Sequence, residues 1–231
     1  SDPKTFNPLL SVDSASSEAL DQVFDGLLRL NPKTTLPEPM LASSWEHDDA
    51  GTTWTFHLRT DVTWHDGAPF TADDVAFTVQ AIFDPKVPNS SKHVLTVGGQ
   101  PIRAEVVDPH TVTLVLAEPF APLLNSIGFG ILPKHILGPA LADGTFTQTW
   151  GIDTPPEKII GTGPYRLARY VPAQLLQYVR NPSYWRRDEG GGVLPRLAER
   201  TTLIVPDQNT IYLKFLDRQL HVYSPRPEEI D

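Results

Sequence analysis

The chain has 231 residues, of which 40% are hydrophobic and 20% are charged. This composition supports a folded core and excludes a disordered or collagen-like chain. A formal net charge of −9 without a basic stripe argues against nucleic-acid binding, which needs clustered Lys and Arg. The lack of cysteine excludes disulfide scaffolds and thiol nucleophiles, and no apolar run approaches the roughly 20 residues that span a bilayer.

The first periodic segment predicts a helix over residues 17–28. Ser16 or Ser17 can cap its start and Gly26 can end it. Its apolar side chains fall at helical spacing, at Leu20, Val23, Phe24 and Leu27. Three prolines within residues 32–39 then favour an extended connection.

The middle of the chain predicts a strand followed by a helix. Residues 53–59 alternate apolar and polar side chains, which is typical of a half-buried strand with Trp54, Phe56 and Leu58 on one face. Thr71, followed three residues later by Asp74, resembles a capping box. It predicts a helix through residue 83, with a buried stripe of Val75, Val79, Ile82 and Phe83.

The rest of the chain predicts more strands and a last helix. One hairpin joins residues 102–107 to 111–116, and a second joins 166–170 to 175–180. A further strand is predicted at 201–205, and Asp207 can cap a helix that carries Ile211, Phe215 and Leu216. Because strands and helices are interspersed, the predicted class is mixed α/β.

No catalytic constellation is visible. The seven histidines never pair at helical spacing, so no helix presents two imidazoles to a metal ion. Residues 161–163 (GTG) lack the Lys-Ser/Thr ending of a phosphate loop and precede a strand. Trp150 and Trp185 lie near loops and could line a groove, although a place in the core is the default interpretation. The residues alone predict a binding module without catalytic residues, metal or cofactor.

Four segments resemble, in order, the landmarks of one family. They are TFNP at 5–8 with FDGLL at 24–28, WTFHLR at 54–59 running into WHDGAPFTADDV at 64–75, GTGPY at 161–165, and RNPSYW at 180–185. The second segment is long and specific, whereas each of the others alone is weak. Together they resemble the extracytoplasmic solute-binding proteins of ABC transporters, family 5, of the oligopeptide/dipeptide-binding type.

The resemblance implies a periplasmic-binding-protein-like fold of the class II type. Family members are longer and clam-shell shaped, so the chain is expected to be a fragment that comprises lobe one, with the second lobe missing. Residues 1–32 and 159–231 would form the core of lobe one. Residues 33–158 would form a subdomain inserted into it.

The resemblance also implies a function. Such proteins are not enzymes: they capture a peptide or a related small solute in the cleft between the lobes and deliver it to the permease subunits of an importer. By the motif alignment, the loop with Val12, Asp13 and Ser14 would contact the ligand, pairing with a peptide backbone as an added strand does. The alternative is that Asp13 or Ser14 only caps the first helix.

A second set of candidate ligand contacts follows from the GTGPY landmark. Gly161, Thr162, Gly163 and Tyr165 are expected near the cleft, where glycine permits a close backbone approach. Tyr165 could equally belong to the core. Half of a clam-shell loses the enclosure that buries the ligand, so the chain alone is expected to bind peptide weakly or not at all.

The expected setting is extracytoplasmic, either the periplasm or the cell surface as a lipoprotein, with a signal removed or outside the chain. The protein would act as a monomer, peripheral to the membrane through the permease or a lipid anchor, and without nucleic acid. Other ligands of the family remain open: nickel chelates, opines, heme and oligosaccharides. Two further alternatives are the ligand-sensing domain of a transcription regulator and a secreted hydrolase.

Overall fold

The computed structural model describes residues 1–225. The helices are α1 (Ser14–Leu20), α2 (Ala72–Phe83), α3 (Ser91–Val94), α4 (Leu123–Ser126), α5 (Lys134–Ala142) and α6 (Gln208–Leu216). The strands are β1 (Leu28–Leu30), β2 (Pro37–Pro39), β3 (Ala42–His47), β4 (Thr53–Leu58), β5 (Thr96–Val97), β6 (Gln100–Pro101), β7 (Arg103–Asp108), β8 (Thr111–Val115), β9 (Tyr165–Val171), β10 (Leu175–Arg180) and β11 (Glu199–Leu203). Mixed α/β class is confirmed.

An antiparallel sheet in the order β3-β4-β8-β7 occupies the middle of the chain. The strand predicted at 53–59 is confirmed as β4, and the first predicted hairpin is confirmed as β7 and β8. Phe56 and Leu58 are buried, as the alternation requires, and Val112 and Leu114 of β8 are buried beside them. Helix α2 packs on β7 and β8 and covers the apolar face of the sheet.

The start of α2 is held by a buried carboxylate. Asp74 accepts hydrogen bonds from the backbone N–H of Thr71 at 3.0 Å and of Lys134 at 2.9 Å, and from the indole Nε1 of Trp64 at 3.2 Å. Burial raises the pKa of Asp74, although these hydrogen bonds favour its charged form. The predicted helix start is therefore confirmed, and the same side chain joins α2 to the start of α5.

A second antiparallel sheet has the order β11-β10-β9. The second predicted hairpin is confirmed as β9 and β10, whereas β11 begins two residues earlier than predicted, at Glu199. The sheet packs on the N-terminal segment, because Tyr178 is buried and its hydroxyl donates a 3.1 Å hydrogen bond to the carbonyl of Ala19.

The first helix is shorter and earlier than predicted, spanning Ser14–Leu20 rather than 17–28. Asp13 caps its start, accepting from the backbone N–H of Ser16 at 2.9 Å. Beyond it, the carbonyls of Gln22 and Val23 accept hydrogen bonds from residues 165 and 163, at 3.0 and 2.9 Å. They are therefore not available to continue the helix, and tertiary contacts override the apolar periodicity.

Helix α6 begins after Asp207, as predicted, with Asp207 Oδ2 accepting from the backbone N–H of Thr210 at 2.8 Å. None of its residues is buried within the described part of the chain. The predicted apolar positions Phe215 and Leu216 are 38% and 55% exposed. The ring of Tyr223 stacks on Phe215 with a centroid distance of 5.5 Å.

One hydrophobic core extends from Phe6 to Ile204 and includes residues of both larger sheets. Within residues 1–225, no helix combines the length and the apolar character that a membrane crossing requires.

Candidate functional site

The loop before α1 is the exposed part of the predicted ligand site. Val12 is 79% exposed, and the next residue, Asp13, caps α1. Asp13 also accepts from the hydroxyl of Ser16 at 2.7 Å, and that hydroxyl accepts from the backbone N–H of Lys4 at 2.8 Å. Burial alone would raise the pKa of Asp13, but the hydrogen bonds from Ser16 and the Lys4 charge lower it below its ordinary value.

This arrangement fixes the start of α1 and leaves the side chain of Val12 facing the solvent. Ser14 is the first residue of α1, and Asp13 caps this helix. The cap does not prevent the loop from contacting a ligand, because Val12 lies on its outer surface. Contact between these residues and a ligand stays a prediction.

The GTG segment is buried against the turn that follows α1. An added Cβ on Gly161 would lie 1.8 Å from the carbonyl oxygen of Val23, and one on Gly163 would lie 2.7 Å from the same atom. The backbone N–H of Gly163 donates to that carbonyl at 2.9 Å. These two positions require glycine because the two backbones cross in direct contact.

A buried histidine joins the GTG segment to the second landmark. His65 Nδ1 accepts from the backbone N–H of Gly161 at 3.1 Å, so Nε2 carries the proton that is donated to the Gly163 carbonyl at 3.0 Å. Burial lowers the pKa of His65 to about 4, and the hydrogen bond to Gly163 opposes this only in part. The imidazole is therefore neutral at physiological pH and serves as a connector.

Thr162 and Tyr165 complete the predicted set. Thr162 is 1% exposed, and its hydroxyl has no hydrogen-bond partner within the described residues. Tyr165 is 6% exposed, and its hydroxyl donates to the carbonyl of Leu197 at 3.3 Å. The structure therefore brings residues 161–165 against residues 22–23 and 65, and the exposed loop at Val12 lies on the other side of α1 in the chain.

Sequence reasoning did not find a second cluster, which lies where three landmarks meet. Asp25 is 3% exposed and accepts from the indole Nε1 of Trp185 at 3.4 Å. The guanidinium carbon of Arg59 lies 4.1 Å from the centre of the Trp185 ring. Burial raises the pKa of Asp25 to about 7, against hydrogen bonds from Trp185 and Tyr184.

Both tryptophans that were considered as groove-lining residues do line cavities. Trp185 borders a cavity of about 580 Å³ together with Arg59 and Asp61. Trp150 borders one of about 430 Å³ beside Leu137 and Ile160, although it is itself only 5% exposed. Within residues 1–225, no three His, Asp or Glu side chains are grouped to hold a metal ion.

The chain matches the sequence model of the bacterial extracellular solute-binding proteins, family 5 (Middle), over residues 37–231. It is 31% identical to a probable ABC transporter-binding protein of Deinococcus radiodurans over 97% of this chain and 39% of the relative. It is 30% identical to the dipeptide-binding protein of Escherichia coli K12, over 99% of this chain and 44% of that protein.

The fold is similar to that of NikZ from Campylobacter jejuni, solved in complex with Ni(L-His). The TM-score is 0.77 at 26% identity, covering 95% of this chain and 41% of NikZ. The chain thus spans about two fifths of the length of the curated relatives it matches. The periplasmic-binding-protein-like fold is thus confirmed, and the chain belongs to the bacterial extracellular solute-binding proteins, family 5.

Proposed function

We propose that the chain is part of the substrate-binding component of an ABC importer, which captures peptides or a related small solute in a cleft between two lobes and delivers it to the permease. The observation that carries this proposal is the family match over residues 37–231, the greater part of the chain. The relatives named for ABC transport and dipeptide binding align with 97% and 99% of the chain.

Within this proposal, residues 1–32 and 159–231 form the core of lobe one and residues 33–158 form an inserted subdomain. Two observations support the division. The sheet β3-β4-β8-β7 lies wholly inside 33–158. Residues before 32 hydrogen-bond to residues beyond 159, through Val23 to Gly163 and through Ala19 to Tyr178, in addition to contacts with 33–158 such as that of Phe6 with Trp150.

The proposed ligand contacts are Val12, Asp13 and Ser14, because this loop is exposed at Val12 and is held in place by the Asp13 cap. An extended, solvent-facing backbone can pair with a peptide backbone without reading its side chains. The buried residues Gly161, Thr162, Gly163 and Tyr165 support the site by fixing the turn after α1, through the backbone bonds to residues 22 and 23.

Peptide is the proposed ligand class, and a nickel chelate is the second candidate because NikZ, solved with Ni(L-His), shares the fold. The residues 1–225 offer no group of three acidic or histidine side chains for a metal. The ligands of a nickel ion would therefore have to come from a chelator or from the proposed second lobe.

The proposed setting is extracytoplasmic, as the name of the family implies. The protein would act as a monomer that meets the permease at the membrane surface, with a lipid anchor or signal outside the chain. We expect no enzymatic activity, because members of the family are solute-binding proteins.

The test is to isolate the protein from its source in native form and to identify the small molecules that it releases on unfolding. We expect an intact mass well above 25.6 kDa and released peptides. A mass that equals that of the chain, together with no released solute, would contradict the proposal.

The loop is tested separately, by Val12→Glu in the native-length protein. A bound peptide would bury the new negative charge against its backbone, so peptide binding, measured by calorimetry, should weaken at least about tenfold. Val222→Glu is the matched control, because Val222 is 81% exposed and Val12 is 79% exposed. Equal affinity in both variants would show that the loop does not contact the ligand.

A further inference from the structure

The cavity beside Trp185 has walls from three separate parts of the chain. It holds about 580 Å³ and is bordered by residues 39–40, 59–61 and 183–187. Its charged lining side chains are Arg59, Asp61, Arg186 and Arg187. Three guanidinium groups thus face one carboxylate, on a chain whose formal net charge is −9.

Arg59 is already paired and oriented. Its Nε and Nη2 donate to the two oxygens of Asp61 at 2.9 and 2.6 Å, a bidentate pair. Its guanidinium plane is also held over the ring of Trp185, at 4.1 Å. The positive charge of Arg59 is therefore largely offset by Asp61. Arg59 contributes mainly a flat, rigid wall to the cavity.

Arg186 and Arg187 are different, because neither forms an ion pair with a carboxylate of residues 1–225. Arg187 donates one long hydrogen bond, of 3.4 Å, to the carbonyl of Tyr184. Most of the donors of these two guanidinium groups are thus free to meet a ligand. Arginine without a partner, at the edge of a concave site, is typical of a site for a planar anion.

Two other carboxylates, those of Asp25 and Glu38, lie close enough to Arg186 for its charge to favour their ionised forms. Glu38 is bonded to Arg29 at 2.8 Å, and its second oxygen accepts from Asn31. Asp25 is buried beside Trp185 and accepts hydrogen bonds from its indole and from Tyr184. Burial raises the pKa of Asp25 to about 7, so its charge is incomplete near neutral pH. These carboxylates therefore offset the charge of Arg186 in part, whereas Arg187 is exposed and belongs to none of the ion pairs of residues 1–225.

We propose that this cavity binds a small organic carboxylate, with Arg186 and Arg187 as its charge partners and Trp185 as its flat wall. A planar carboxylate matches the fork of a guanidinium, and the cavity is large enough for a molecule of the size of a tricarboxylate. The site is independent of the proposed peptide loop at Val12–Ser14, since the two are built from different parts of the chain.

The test follows the indole N–H resonance of Trp185 by nuclear magnetic resonance while citrate is added to the 231-residue chain at constant pH and ionic strength. The resonance is assigned by its loss in Trp185→Phe. We expect a saturable shift with citrate, and no saturable shift with sodium chloride. The double variant Arg186→Gln/Arg187→Gln should weaken citrate binding at least about tenfold.

The matched control is Arg196→Gln/Arg200→Gln, which removes the same charge from side chains outside the cavity. It should leave citrate affinity unchanged within about twofold. If the cavity double variant does not fold, Arg187→Gln alone replaces it, since Arg187 is exposed. A shift that never saturates, or equal weakening by both double variants, would overturn the proposal. Tighter binding of inorganic phosphate than of citrate would overturn the assignment to carboxylates.

Discussion

Two buried ionisable residues, Asp25 and His65, have pKa values shifted in opposite directions. Burial raises the pKa of Asp25 from 3.8 to about 7, and lowers that of His65 from 6.5 to about 4. Asp25 therefore contributes stability that is complete below pH 3.8 and lost as the pH rises through about 7. His65 contributes stability that is complete above pH 6.5 and lost as the pH falls towards 4.

Between pH 4 and 6.5 the two residues change the free energy of unfolding with pH in opposite directions. Substituting one of them should therefore reveal the pH dependence that the other causes. In Asp25→Asn the His65 contribution is unopposed, so the free energy of unfolding should rise more steeply with pH than in the wild type. The added slope is at most about 1.4 kcal/mol per pH unit. Urea unfolding at several pH values measures it.

The reciprocal variant is His65→Gln, which keeps a neutral side chain with a donor and an acceptor. Its free energy of unfolding should fall, relative to that of the wild type, as the pH rises through the same interval. Identical slopes in the wild type and both variants would show that neither group titrates as its burial implies.

A further prediction concerns Gly161, where an added Cβ would meet the Val23 carbonyl oxygen at 1.8 Å. The neighbour is backbone and cannot move aside without shifting the turn after α1. Gly161→Ala should therefore lower the free energy of unfolding by about 1–3 kcal/mol or more. Gly151→Ala is the control, since no atom lies within 4 Å of its added Cβ; an equal loss in the control would refute the steric account.

At the scale of elements, the side chain of Asp74 joins helices α2 and α5 to the loop that carries Trp64. Asp74 accepts from the N-terminal turn of α2, from the first residue of α5 and from the indole of Trp64. Two of these three donors are backbone N–H groups at helix starts, which otherwise have no intrahelical partner. The buried carboxylate of Asp74 therefore contributes to the relative placement of α2 and α5.

Asp74→Ala should lower the free energy of unfolding by at least about 2 kcal/mol, because it leaves buried donors without an acceptor. The neighbouring Asp73 is the matched control. Its carboxylate pairs with Lys134 Nζ at 2.6 Å but is 57% exposed, so Asp73→Ala should cost less than about 1 kcal/mol. Thermal and urea unfolding measure both, and similar losses in the two variants would contradict the argument.

The elements that the sequence predicted well are those whose signal is local. The alternation of Trp54, Phe56 and Leu58 identified β4, and Thr71 with Asp74 identified the start of α2. The first helix was misplaced because its end is decided by residues 163 and 165, which take the carbonyls of 22 and 23. No pattern within 17–28 contains that information.

The candidate site, like the helices and strands, could be predicted from the sequence only in part. The motif alignment pointed to Val12–Ser14, and the structure places that loop at the surface before α1. The cluster of Asp25 with Trp185 was missed, because its partners are 160 residues apart and meet only in the folded chain. The sign of this cluster in the sequence was that Asp25 and Trp185 belong to two different landmark segments.

At the scale of the whole molecule, the chain corresponds to 39% to 44% of the length of its relatives. A proposed interlobe cleft needs both walls to exclude water from the ligand. We therefore expect that the isolated chain binds di- and tripeptides more weakly than micromolar. Isothermal titration calorimetry measures this, and micromolar or tighter binding would show that one lobe is sufficient.

The contacts of the N-terminal segment have a consequence for the order in which the molecule is completed. The backbone N–H of Phe6 donates to the carbonyl of Trp150, and the carbonyl of Ala19 accepts from the hydroxyl of Tyr178. During synthesis the first 24 residues leave the ribosome long before these partners exist, so their apolar side chains stay uncovered. Such non-local pairing slows folding. Until β10 has been made, the nascent chain therefore stays unfolded, so that it can bind chaperones or pass through a narrow channel.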